Sequence, residues 1–122
     1  MCNLKVILLI FILCIIGYNI YIKNTYTDNF KNQNIKLILF YTNWCKFSRK
    51  LLPIWNKVVK DFGTKNIEFI KTDCDTNTKL CKKYKINYLP TIYLIKNNNK
   101  YKYTDNISYE ELSLFVYKKL TS

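Results

Sequence analysis

The chain has 122 residues, 49% hydrophobic and 16% aromatic, which suits one small domain with a modest core and excludes both a disordered chain and a multidomain enzyme. It carries 20 Lys and Arg against 8 Asp and Glu, a formal net charge of +12. The lysines are scattered without arginine–aromatic interleaving, and Lys, Asn, Ile and Tyr share AT-rich codons, so coding bias accounts for the excess and nucleic acid is not an expected partner. With 5 cysteines and no histidine, zinc would need four thiolates at paired short spacings, which the sequence lacks, so no metal and no cofactor is expected.

The first element is apolar. Residues 6–16 read VILLIFILCII, and the run continues through Gly17, Tyr18 and Asn19 to Ile22. A helix from Val6 to Ile22 is about 25 Å long, at the short end of a membrane span. Tyr18 and Tyr21 near its far end suit the interfacial belt. Residues 1–23 are therefore read as a transmembrane signal-anchor that meets the membrane through residues 4–22. The rival is a cleaved signal peptide with Lys5 as its basic region, but a small-residue cleavage signature is missing. A buried core helix would show a polar face. Charge does not set orientation, since Lys5 and the α-amino group stand against Lys23, Lys31 and Lys36. Cys2 suits acylation at the membrane face, and Cys14 packs as a small apolar group.

Residues 24–34 are polar, rich in Asn and Thr, and read as a linker to a domain over 35–122. The run IKLILFY at 35–41 predicts a strand buried on both faces. After the turn Thr42-Asn43-Trp44-Cys45, apolar residues at helical spacing predict a helix over 46–62, kinked at Pro53 and closed by Gly63 as C-cap. A strand at 67–72 and a short helix at 76–84 follow. Pro90 opens a strand at 91–95, Asn97-Asn98-Asn99 make a hairpin turn, and 100–104 form an edge strand. Ser108 and Glu111 form a capping box before a last helix that presents Leu112, Phe115, Val116 and Leu120. The order β-α-β-α-β-β-α is that of an α/β sandwich.

Three separated segments carry a family likeness. LFYTNWCKFSRKLLPIW at 39–55 resembles the active site and kinked helix of the thioredoxin superfamily, DCDTNTKLCKKY at 73–84 resembles a segment of its protein disulfide isomerase branch, and YLPT at 88–91 resembles the cis-proline loop. The likeness covers roughly residues 35–120. It implies a thioredoxin fold, a central mixed sheet flanked by helices; because only a short stretch separates the apolar segment from the first strand, the domain is trimmed at its N-terminus, or Tyr21 to Phe30 supplies a remnant of the family's extra strand and helix.

Cys45 opens a helix, where free N–H groups and the macrodipole favour an anion, and Lys46, Arg49 and Lys50 add positive charge. This setting should lower the thiol pKa and populate the nucleophilic thiolate; the alternative is an inert cysteine at a helix start. Two positions depart from the family pattern. Ser48 stands where the second thiol would be, and Leu39 where the buried acid would be. A serine cannot resolve a mixed disulfide, although it can donate a hydrogen bond to the thiolate. The resemblance therefore implies a monothiol, Cys-x-x-Ser site, closest to isomerase-like proteins that hold clients in the early secretory pathway.

By the same resemblance, Trp44 flanks the sulfur, Pro90 is cis, and Leu89 offers its backbone to an extended client; an ordinary trans proline is the alternative. Cys74 and Cys81 match the branch's structural disulfide, which implies an oxidising compartment and a lumenal domain; the alternative is two reduced, buried cysteines in a cytosolic domain. The AT-rich usage suits a protist or a large DNA virus, hence a host or virion membrane. Asn106-Ile107-Ser108 is a glycosylation sequon. Three functions compete. One is monothiol exchange with cysteine-containing client proteins, another a client-binding or retention module without turnover, and the third an interaction protein whose Cys45 is unreactive.

Overall fold

The computed structural model describes residues 3–31 and 34–122, with the backbone alone for 24–31, and the chain divides into two units, Met1–Gln33 and Asn34–Ser122. Cys2 lies outside the described residues. The first unit is helix α1, Leu4–Lys31. Its stretch Leu4–Lys23 is 20 residues long and, by length and composition, apolar enough to cross a membrane. Asn19, a polar residue within that stretch, donates its Nδ2 to the Ile15 carbonyl at 2.7 Å, so the helix satisfies its own polar side chain. The helix runs on to Lys31, through most of the residues read as a linker. Once a helix has formed, each added residue brings one hydrogen bond, and 24–31 contain neither Gly nor Pro to stop it.

In the second unit, β1 (Ile35–Tyr41) is the central strand because it is apolar towards both faces. Parallel to it lies β2 (Ile67–Asp73), and antiparallel to it on the other side lies β3 (Thr91–Lys96). β4 (Asn99–Lys102) closes the order β2-β1-β3-β4 as an edge. The β3–β4 turn uses Asn97 and Asn98 at φ 50° and 66°, a region asparagine tolerates. β4 ends at Lys102, sooner than alternation suggests, although the next residue, Tyr103, still donates its N–H to the Ile92 carbonyl of β3 at 2.9 Å and packs its ring, 9% exposed, against Phe115.

The pleat of β1 divides its side chains between two cores. Leu37 and Leu39 pack with Leu51, Trp55 and Val58 of α2 (Lys46–Phe62) and with Leu112, Val116 and Leu120 of α4 (Tyr109–Thr121). Ile38 and Phe40 pack on the other face with Cys81 of α3 (Thr78–Lys83), Tyr84 and Ile86. α2 continues through Pro53 without a break. Gly63 follows it with φ −63°, not in the left-handed conformation expected of a glycine cap. Glycine is needed there for room, because a Cβ would lie 2.7 Å from the Val59 carbonyl oxygen. Ser108 caps α4 by accepting the Glu111 N–H at 3.2 Å. At the far end Lys96, only 8% exposed, reaches from β3 to the Lys119 and Ser122 carbonyls at 2.9 and 2.5 Å. A cation among the last carbonyls of a helix meets both their free lone pairs and the negative end of the dipole.

Candidate active site

Cys45 is the N-cap of α2, with extended backbone (φ −74°, ψ 122°) and a carbonyl that accepts the Arg49 N–H at 3.0 Å. Its side chain caps nothing, so the sulfur is free to face the N–H groups of the first turn. The Ser48 backbone N–H directed at the sulfur holds the thiol below its ordinary range. Slight burial pushes the other way, and the Ser48 hydroxyl, the Phe47 N–H and the Arg49 guanidinium add to the lowering. The reading of the sequence shared the electrostatic pull among three cations. Of the three, Arg49 supplies it, as the smallest of these contributions.

Ser48 is fully buried, and its hydroxyl oxygen accepts the Thr42 N–H at 3.4 Å. That contact occupies a lone pair and leaves the hydroxyl proton for the Cys45 thiolate. Leu39 is also fully buried and stands opposite Ile92 across β1 and β3, so the position where the family pattern has an acid is part of an apolar core.

The loop ahead of β3 forms the second wall. The Leu89–Pro90 peptide is cis, and the Leu89 carbonyl oxygen lies 3.6 Å from the Cys45 sulfur. In the thiol form the S–H donates to this oxygen; in the thiolate form the Ser48 donors face the negative sulfur instead. Thr91 secures the loop by donating its hydroxyl to the Tyr88 carbonyl at 2.6 Å. Trp44, Phe47 and Tyr88 are 69%, 61% and 74% exposed, giving this region an apolar rim.

The third wall comes from the end of β2. The Trp44 indole N–H donates to Asp75 at 3.1 Å, and the Asn43 amide donates to Asp73 at 3.3 Å. Asp73 also accepts the Asp75 N–H at 2.9 Å, and the Cys74 N–H donates to the Tyr41 carbonyl at 2.9 Å. Cys74 is disulfide-bonded to Cys81, with Cα atoms 5.8 Å apart, which ties this segment to α3. The structure thus gathers Trp44, Cys45, Ser48, Leu89 and Pro90 in one place, with the Cys74–Cys81 bridge in the segment that clasps Trp44. The sequence reading missed Thr42, Asp73 and Asp75. Thr42 acts through its backbone N–H, which a side-chain motif does not show, and the partners of Asp73 and Asp75 lie 30 and 31 residues away.

The model of the family described as Thioredoxin matches residues 19–118. Human endoplasmic reticulum resident protein 44 is 32% identical over 71 residues, which cover 54% of this chain and 18% of that protein. The thioredoxin of Coprinus comatus is 35% identical over 66 residues, or 54% of this chain and 62% of that one. The crystal structure of human ERp44 superposes with a TM-score of 0.68 at 25% identity, covering 76% of this chain and 30% of that chain. Since the matched residues hold the helix-start cysteine, the cis-proline loop and the mixed sheet, the chain belongs to the thioredoxin family, with relatives among the protein disulfide isomerase-like redox proteins.

Proposed function

We propose that the protein is a membrane-anchored monothiol exchange protein. Residues 1–23 form the anchor, and the domain over 35–122 forms mixed disulfides with client cysteines. The observation that carries this reading is the pairing of Cys45 with buried Ser48. The sulfur has a lowered pKa and a backbone carbonyl beside it, but a hydroxyl stands where a resolving thiol would be. The Cys45 thiolate attacks one sulfur of a client disulfide, a Cys45–client S–S bond forms, and the client's second sulfur leaves as a thiolate that is protonated from solvent. One disulfide is exchanged for another and no net oxidation occurs. Release requires a thiolate from the client or from solution, because Ser48 cannot attack. The Leu89 backbone offers an extended client a strand-like partner, and Trp44 borders the sulfur.

The anchor reading is supported by the apolar helix Leu4–Lys23. A lumenal domain in the secretory pathway is supported by the Cys74–Cys81 bridge, which persists in oxidising compartments, and by relatives named as endoplasmic reticulum residents.

The test uses the full chain in a non-ionic detergent, incubated with a peptide whose single cysteine is held as a disulfide with thiopyridine, so that no client thiol is left to release the adduct, and followed by intact mass. The expected product is one adduct on Cys45 that is absent in Cys45→Ala and persists until a small thiol is added. Self-release without added thiol would remove the monothiol reading. No adduct, together with alkylation no faster than that of a free cysteine of pKa about 8.5, would leave a non-catalytic interaction module.

A further inference from the structure

Helix α3 closes in a way that usually takes a glycine. The Lys85 N–H donates to the Lys82 carbonyl and the Ile86 N–H to the Cys81 carbonyl, both at 3.0 Å, while Lys85 has φ 52°. This is the paired closure of a helix C-terminus, and its left-handed residue is most often glycine because a Cβ there crowds the backbone. The other left-handed non-glycine residues among those described are Asn97 and Asn98, a residue type that tolerates the region. Lys85 is the exception, a long cationic side chain in the left-handed region, and such exceptions cluster at functional sites.

Lys85 and Lys82 line a groove of about 550 Å³ whose walls include Cys81, Ile86 and Asn87 and, among the described residues, no carboxylate. The groove adjoins the exchange site through the chain on two sides. Asn87 lies two residues before Leu89, a reach of about 7 Å in extended chain. Cys74, also in the wall, sits between the two aspartates that hold Asn43 and Trp44. Those aspartates accept from donors of the active-site loop, and among the described residues neither Lys82 nor Lys85 forms an ion pair with them.

We infer that this groove receives an acidic side chain of the client, so that preferred substrates carry Asp or Glu a few residues from the reacting cysteine. The inference rests on the exchange reading and names the substrate class of that site. The apolar part of the wall takes the client's stem, and the two ammonium groups take its carboxylate.

Two peptides test it, identical except for acidic or basic residues flanking one cysteine, which is held as a disulfide with thiopyridine. The Cys45 thiolate attacks the peptide sulfur, a Cys45–peptide disulfide forms, and thiopyridone leaves and absorbs light. With the full chain in non-ionic detergent, the acidic peptide should react about tenfold faster at low salt, within the range of local electrostatic focusing. Lys82→Glu/Lys85→Glu should abolish the preference. Lys60→Glu/Lys65→Glu, an equal charge change at the far end of α2, should leave it within about twofold. Lys85→Gly should weaken the preference while the fold stays as stable or gains stability, which separates the charge from the backbone. Equal losses in both double variants would reduce the preference to long-range net charge and overturn the groove. Equal rates for both peptides in the unaltered chain would overturn the inference and leave exchange standing; reaction with neither would overturn both.

Discussion

At the scale of single residues, the reactivity of Cys45 comes mainly from backbone geometry. The largest lowering of its pKa is the Ser48 N–H, which survives any side-chain change at 48. Ser48→Ala should therefore move the midpoint of the pH–alkylation curve upward, yet leave it below that of a free cysteine. A midpoint unchanged by Ser48→Ala would remove the hydroxyl from the account. The sign for stability follows. A thiol whose folded pKa is depressed favours the ionised folded state, so the reduced protein gains stability as pH rises through the folded pKa towards the ordinary value. That increment is lost as pH falls through the folded pKa, and Cys45→Ala should flatten the curve across the window. Cys45, Ser48 and Pro90 were legible because each belongs to a short local string. Thr42, Asp75 and Lys85 were not. The first acts through a backbone N–H, the second through a contact spanning 31 residues, and the third through a dihedral angle that a lysine does not advertise.

At the scale of elements, strands and helices followed their apolar spacing, and the differences lie at the ends. α1 extends over a polar stretch because composition alone does not stop a helix, and β4 ends at Lys102. The C-terminus of α4 depends on a residue outside it. Lys96 reads as an ordinary lysine at a strand end, yet it is 8% exposed and bonded to two carbonyls of the α4 end. Lys96→Met would keep the apolar stem and leave those carbonyls without their cation. A loss of about 1–3 kcal/mol is expected, or roughly 4–8 °C in Tm for each kcal/mol in a domain of this size. Thermal melts followed through the fluorescence of buried Trp55 measure it, and an unchanged Tm would show that solvent satisfies the helix end equally well.

At the scale of the whole molecule, the question is which side of a membrane the domain occupies. Asn106 is exposed immediately before the start of α4, in the sequon Asn106-Ile107-Ser108, and reports on this directly. Expression in a eukaryotic secretory membrane should give a glycosylated form that a glycosidase collapses and Asn106→Gln abolishes, with the protein resisting alkaline extraction. Extraction into the soluble fraction would remove the anchor. An unglycosylated, protease-accessible domain on the cytosolic side would reverse the proposed orientation.

The sheet also ends in β2, whose outer edge has no neighbouring strand in the four-strand order. That edge carries exposed Glu68, ion-paired to Lys36 at 2.9 Å, and exposed Lys71, while Phe69 and Ile70 between them are partly covered. Fixed charges on an edge strand oppose strand-to-strand docking of like molecules. Tethering as proposed would confine the chain to two dimensions and raise the frequency of sideways collisions between copies. The charged edge then acts as a bumper that keeps crowded neighbours from zipping into a continuous sheet.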